Sequence, residues 1–179
     1  DAVTTGDDNT FIGDNAGGGT TTASDNTAVG SSALRTNSTG ASNTAVGFSA
    51  LTANTTASDN TAVGYYALVA NTTGAGNVGI GKDALAANTT ASNNTAVGLD
   101  ALTANTTGAE NVAIGMSSML VATTGDSNTA VGTYALYDHT TGSSNTAVGH
   151  SSLADNTTGA SNVAVGALAL DANTTASYN

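Results

Sequence analysis

The chain has 179 residues, more than half of them Ala, Thr, Gly or Asn, and two basic residues stand against thirteen acidic ones for a net charge of −11. No cysteine or tryptophan is present, which excludes disulfides, thiolate metal sites and cysteine nucleophiles, while Arg35 and Lys82 alone cannot neutralise a run of phosphates on nucleic acid or an anionic membrane. Leu, Ile, Val and Phe supply only 29 positions, a share at which an aperiodic acidic chain stays disordered, so only order in the arrangement can support a fold.

That order is a repeat. Asn9, Asn26, Asn43, Asn60, Asn77, Asn94, Asn111, Asn128, Asn145, Asn162 and Asn179 are each 17 residues apart, with no insertion or deletion. Counting this Asn as position one, the unit reads N-T-A-V-G-x-x-A-L-x-A-N-T-T-G-A-S. Ten full repeats occupy 9–178, residues 1–8 match positions ten to seventeen, and Asn179 opens the next repeat. The whole of 1–179 is thus one array without atypical caps, as expected of a segment of a longer repetitive chain.

Within each unit, positions two to four predict a short strand, since Thr or Val at two and Val or Ile at four share one face of an extended backbone. Exchange of Thr for near-isosteric Val78, Val112 and Val163 places that face inward, so that Val46, Val63, Val97 and Val131 line the core and the small third residue faces out. Gly at position five, present in all ten repeats, supplies a turn with positive φ. Positions eight and nine carry Ala-Leu in seven repeats, making Leu51, Leu68, Leu102 and Leu136 the largest recurrent core groups. Positions twelve to fifteen, N-T-T-G or N-T-T-A, predict a corner leading into a second short extended segment. A helix loses to this reading, because recurrent Gly, Asn and Thr cost about 0.5–1 kcal/mol each relative to Ala.

Charged side chains fall only at positions six, seven, ten, eleven, sixteen and seventeen, which are therefore outward, along with Phe48, Tyr65, Tyr66 and Asp100. One coil buries about two apolar side chains, worth roughly 1.5–3 kcal/mol apiece, against an ordering cost of about 1.5 kcal/mol for each residue. Stability must come from stacking, with coils about 4.8 Å apart, and from association of chains that buries the Leu column further. The expected fold class is an all-β parallel β-solenoid of 17 residues per coil.

The N-V-A-I-G of Asn111 to Gly115 resembles the N-S-V-A-I-G head repeats of trimeric autotransporter (YadA-like) adhesins. The full unit, as in NTAVGYYALVANTTGAG from Asn60 to Gly76, is similar to repeats of bacterial adhesin-like proteins and phage tail fibres that carry a self-cleaving chaperone. The resemblance implies a left-handed, trimeric β-roll at a cell or virion surface. The expected function is the structural region of an extracellular fibre or surface filament, adhesive in context, whose partners are copies of itself and a host-surface glycan or protein.

No enzyme is expected: His139 and His150 stand at positions twelve and six, on different faces, and read as solvated surface histidines, while no Ser elbow or acid/base pair occurs. No cofactor or metal is implied; Asp8, Asp25, Asp59 and Glu110 precede the leading Asn without a calcium-loop pattern. Sequons recur at position twelve (Asn37, Asn54, Asn71, Asn88, Asn105, Asn156, Asn173), where their periodicity marks a turn or a side-chain ladder, and Asn93 begins another. If the chain binds a receptor, the candidate contacts are Phe48, Tyr65, Tyr66, Tyr134 and Tyr137. The alternative function is an ice-binding solenoid using Thr columns, although the paired Thr are adjacent, so only one of the two columns points outward.

Overall fold

A computed structural model describes residues 5–179 and shows a β-solenoid without helices; residues 1–4, the start of the partial repeat, lie outside the described residues. Ten three-residue strands, from β1 (Thr10–Ile12) and β2 (Thr27–Val29) to β10 (Val163–Val165), begin at position two of successive repeats. They form one parallel sheet in sequence order. Every pairing joins residues 17 apart, as in Thr44↔Thr61 and Val46↔Val63, so one repeat is one coil. The ladder is continuous: the Thr44 amide donates to the Asn60 carbonyl at 2.8 Å, and the Gly47 amide to the Val29 carbonyl at 2.8 Å.

Position five ends each strand, and only Gly fits there. Its φ lies between 126° and 140° in every coil, and a Cβ on Gly30 would stand 2.5 Å from the Gly47 carbonyl oxygen of the next coil. The chain then turns through left-handed residues at positions seven and nine, and again at seventeen. Asp, Asn and Gly at some of these positions favour this conformation, whereas Tyr66, Tyr134, Leu168, Glu110 and Tyr178 adopt it without that preference. Leu at nine does not favour it, yet adopts φ of 50–54° in every coil that carries it there, because that geometry aims the side chain into the coil.

The core corrects the expected facing of the strand. Ala at position three is buried, fully so in nearly every coil, as at Ala45, Ala62 and Ala96, together with Ala at eight and Leu at nine. Val46, Val63, Val97 and Val131 do not line the interior; with Thr at position two they stand on the outer face, half-buried by neighbouring strands. The reason is width. A Cβ on Gly79, at position three, would lie 3.2 Å from Cγ of Leu68 in the coil before, leaving no room for a β-branched group beneath Leu. The first coil supports this by exchange: Phe11 replaces Ala at three, Gly17 replaces Leu at nine, and a Cβ on Gly17 would meet the Phe11 ring at 2.6 Å. The Leu column from Leu34 to Leu153, with Met119, is already fully buried within one chain, so association cannot bury it further.

The second extended segment does not form; residues after position twelve stack as bends. Consecutive amides of Thr72 and Thr73 both donate to the Thr89 carbonyl, at 2.9 and 3.2 Å, a convergence that a strand ladder does not permit. In the first six coils this corner alternates with a two-coil rhythm, T-T-A-S at Thr55 to Ser58 and T-T-G-A at Thr72 to Ala75. The Ser58 hydroxyl accepts the Ala41 amide, and the Ser92 hydroxyl the Ala75 amide, each at 3.0 Å.

Two columns of Asn complete the interior, fully buried from Asn26 to Asn162 at position one and from Asn37 to Asn156 at position twelve. Buried amides are tolerated only when hydrogen-bonded. At position one, Asn43 Oδ1 accepts the Asn60 backbone amide at 3.0 Å while Asn43 Nδ2 donates to the Ala57 carbonyl at 2.9 Å. At position twelve, Asn71 Nδ2 donates to the Gly74 carbonyl at 2.9 Å, and Asn71 Oδ1 accepts Asn88 Nδ2 at 2.9 Å. The ladder expected from the periodicity is present, and the position-twelve sequons from Asn37 to Asn156 are closed to glycosylation in the folded chain; Asn93 is exposed.

Candidate functional surface

Turning Ala inward gives the solenoid an outward strand face of two columns. One carries Thr at seven coils and Val at three; the other carries Val or Ile at all ten. Every residue in both columns is uncharged and β-branched. Away from the ends the Thr and Val are half-buried, and Ile80 and Ile114 remain 39 % exposed. Parallel strands in exact 17-residue register make this face periodic along the axis. Burying apolar surface is favourable at about 25 cal/mol per Å², which makes this Thr, Val and Ile strip the candidate contact surface.

The aromatic residues expected as surface contacts divide into two groups. Phe48 and Tyr65, on consecutive coils, stack with centroids 5.4 Å apart and planes 15° from parallel; Tyr66 lies 4.2 Å from Tyr65. Tyr134 meets Tyr137 edge-on at 5.4 Å and His150 at 6.1 Å, several coils away. Phe48, Tyr65 and Tyr134 are exposed, as expected, whereas Tyr66 and Tyr137 are half-buried. One face of Phe48 covers one face of Tyr65, so these rings stabilise coil stacking by about 0.5–1.5 kcal/mol while each remains nearly half exposed. The Tyr66 hydroxyl, by hydrogen bonding, raises the Tyr65 pKa above the usual phenol value. On the next coil Lys82 pairs with Asp83 at 3.0 Å, and that hydrogen bond holds the Lys82 ammonium above its usual pKa.

The Thr pair behaves as adjacent residues on a bent segment should. Position fourteen is exposed in all ten coils, from Thr22 to Thr175. Position thirteen is tied down: Thr72 Oγ1 donates to the Thr89 carbonyl at 2.9 Å, and Thr140 Oγ1 to the Thr157 carbonyl at 2.9 Å.

Of the two histidines, His150 is exposed as expected, but His139 is fully buried. It occupies the inward Asn column, and burial lowers its pKa against the opposing effect of the Gly142 and Asn156 backbone. Its position in the repeat was a sufficient signal, since position twelve is otherwise Asn in seven of ten coils. Among the described residues no cluster of three metal-ligating side chains occurs, and no helix is long and apolar enough to cross a membrane.

Comparison with known protein families, with curated proteins and with solved structures gives no match.

Proposed function

We propose that this chain is the structural repeat region of an extracellular fibre or surface filament, in which copies associate through the strand face. One observation carries the reading: the uncharged Thr/Val and Val/Ile columns run unbroken through ten coils, side by side on the outer face of the parallel sheet. A second copy presents the same spacing, so two such faces match rank for rank, with no charge to desolvate. The resemblance to adhesin head repeats supports a trimeric arrangement and a cell or virion surface. Adhesion then belongs to the assembled rod, and exposed Phe48 and Tyr65 are the contacts it offers to a surface glycan or protein.

A second reading is ice binding. It is favoured by the regular outward Thr of position two and by the exposed Thr column at position fourteen. The strand face weakens this reading, because position four is Val or Ile throughout and position two is Val in three coils.

Sedimentation velocity at tens of micromolar separates the two. The fibre reading expects oligomers, and expects the double variant Val63→Lys/Val97→Lys to sediment as a folded monomer with unchanged circular dichroism. A monomeric wild-type chain that produces thermal hysteresis would overturn it in favour of ice binding.

A further inference from the structure

The position-twelve ladder is interrupted at two consecutive coils, where Ala122 and then His139 replace Asn. Ala122 has no amide to donate, and Asn105 Oδ1 in the coil before is left buried without a partner. His139 keeps the ladder going in the other direction. Each ordinary Asn in this column does two things: Nδ2 donates to the position-fifteen carbonyl of its own coil, and Oδ1 accepts the amide of the following Asn. In His139, Nε2 lies 2.7 Å from the Gly142 carbonyl, and Nδ1 lies 3.4 Å from Asn156 Nδ2.

A carbonyl only accepts, so Nε2 carries the hydrogen, and Nδ1 of the neutral ring takes the acceptor role of Oδ1. Asn156 cannot turn to offer oxygen instead. Its Nδ2 is held by the Gly159 carbonyl at 3.0 Å and its Oδ1 by Asn173 Nδ2 at 2.9 Å. Neutral histidine therefore reproduces the Asn pattern, whereas the imidazolium sets a second N–H against the Asn156 amide.

We propose that His139 makes the solenoid acid-sensitive: the imidazolium cannot keep the buried ladder at Asn156, so the ring takes up its proton only as the coils around 128–161 open. No charged group is placed to stabilise the cation. The ring is enclosed by Gly125 of the preceding coil, Gly142 of its own and Asn156 of the next. Asp138 and Asp155, the nearest carboxylates in sequence and stacking, are at exposed position eleven, and no charged side chain contributes to the lowered pKa, which burial dominates.

With the folded pKa lowered, the unfolded chain binds the extra proton, so stability is complete above about pH 6.5 and falls as pH drops below it. The test is urea unfolding of the whole chain at pH 7.5 and 5.5, above the ordinary carboxylate range. The folding constant should fall over this interval, by up to about tenfold, the limit set by one histidine of ordinary pKa about 6.5 in the unfolded state. His139→Asn should lose the part of the slope that His139 supplies. The ring resonance of His139 in the folded wild-type chain should titrate below the ordinary histidine range, a readout that does not require the variants to fold. An equal slope in His139→Asn, a flat wild type, or a ring that titrates normally in the folded chain would each overturn the proposal.

Discussion

Replacing Asn71 by Ala removes one rung from the middle of the buried ladder without touching the Leu column. Three hydrogen bonds go: Asn71 Nδ2 to the Gly74 carbonyl, Asn71 Nδ2 to Asn54 Oδ1 at 3.2 Å, and Asn88 Nδ2 to Asn71 Oδ1. Two of the partners keep another bond, since the Gly74 carbonyl still accepts Asn60 Nδ2 and Asn88 Nδ2 still donates to the Ala91 carbonyl. Asn54 Oδ1 is left buried and unpaired. At about 1 kcal/mol for each of the two bonds whose partners stay paired, and about 1–3 kcal/mol for the orphaned Asn54 oxygen, the loss is about 3–5 kcal/mol. The chain contains its own comparison: Asn105 already lacks a partner for Oδ1, so Asn105→Ala removes one bond fewer and also removes an unpaired buried oxygen, and should cost about 2–4 kcal/mol less. Urea unfolding followed by circular dichroism in the β band measures both. A loss below about 0.5 kcal/mol for Asn71→Ala, or a larger loss for Asn105→Ala, would refute the view that these amides hold the coils together.

Joining the ladder through its gap, by Ala122→Asn with His139→Asn, supplies a donor for Asn105 Oδ1 and should raise stability by about 1–2 kcal/mol in the same assay. Leu102→Asp buries an unpaired charge and should abolish cooperative folding, seen as loss of the β-band signal; Asp100→Asn, at a half-buried left-handed position, should change stability by less than about 0.5 kcal/mol. In the first coil, Phe11→Ala leaves a cavity beside Gly17 and should cost about 3–5 kcal/mol. The double change Phe11→Ala/Gly17→Leu rebuilds the pattern of the other coils and should recover most of that loss in thermal unfolding.

The coil length was legible because the Asn and Gly columns repeat without slippage, and the Leu column because it is the largest apolar group at a fixed position. The strand facing was not. Thr and Val read as core by hydrophobicity, yet in so narrow a coil the inner strand position admits only Ala or Gly beneath Leu, and β-branched residues go outside, where strand propensity alone selects them. Phe11 was the clue, since a large residue at position three appears only where Gly17 removes the Leu. The left-handed Leu had no local signal, because its conformation follows from the burial of its side chain and opposes its own preference. His139 was misread for a related reason: as a single residue it suggests surface, and only its column shows that it lies inside. The candidate surface followed from the facing, so the exposed aromatics were identified while the strand face was missed.

Electron cryo-microscopy of the assembled chain tests the central claim most directly. The account predicts rods with an axial repeat of about 4.8 Å, in which copies lie against one another through the columns of Thr61 and Val63 while Thr56, Thr73 and Thr90 face solvent. Separate single solenoids with the Thr and Val columns open to water would contradict it.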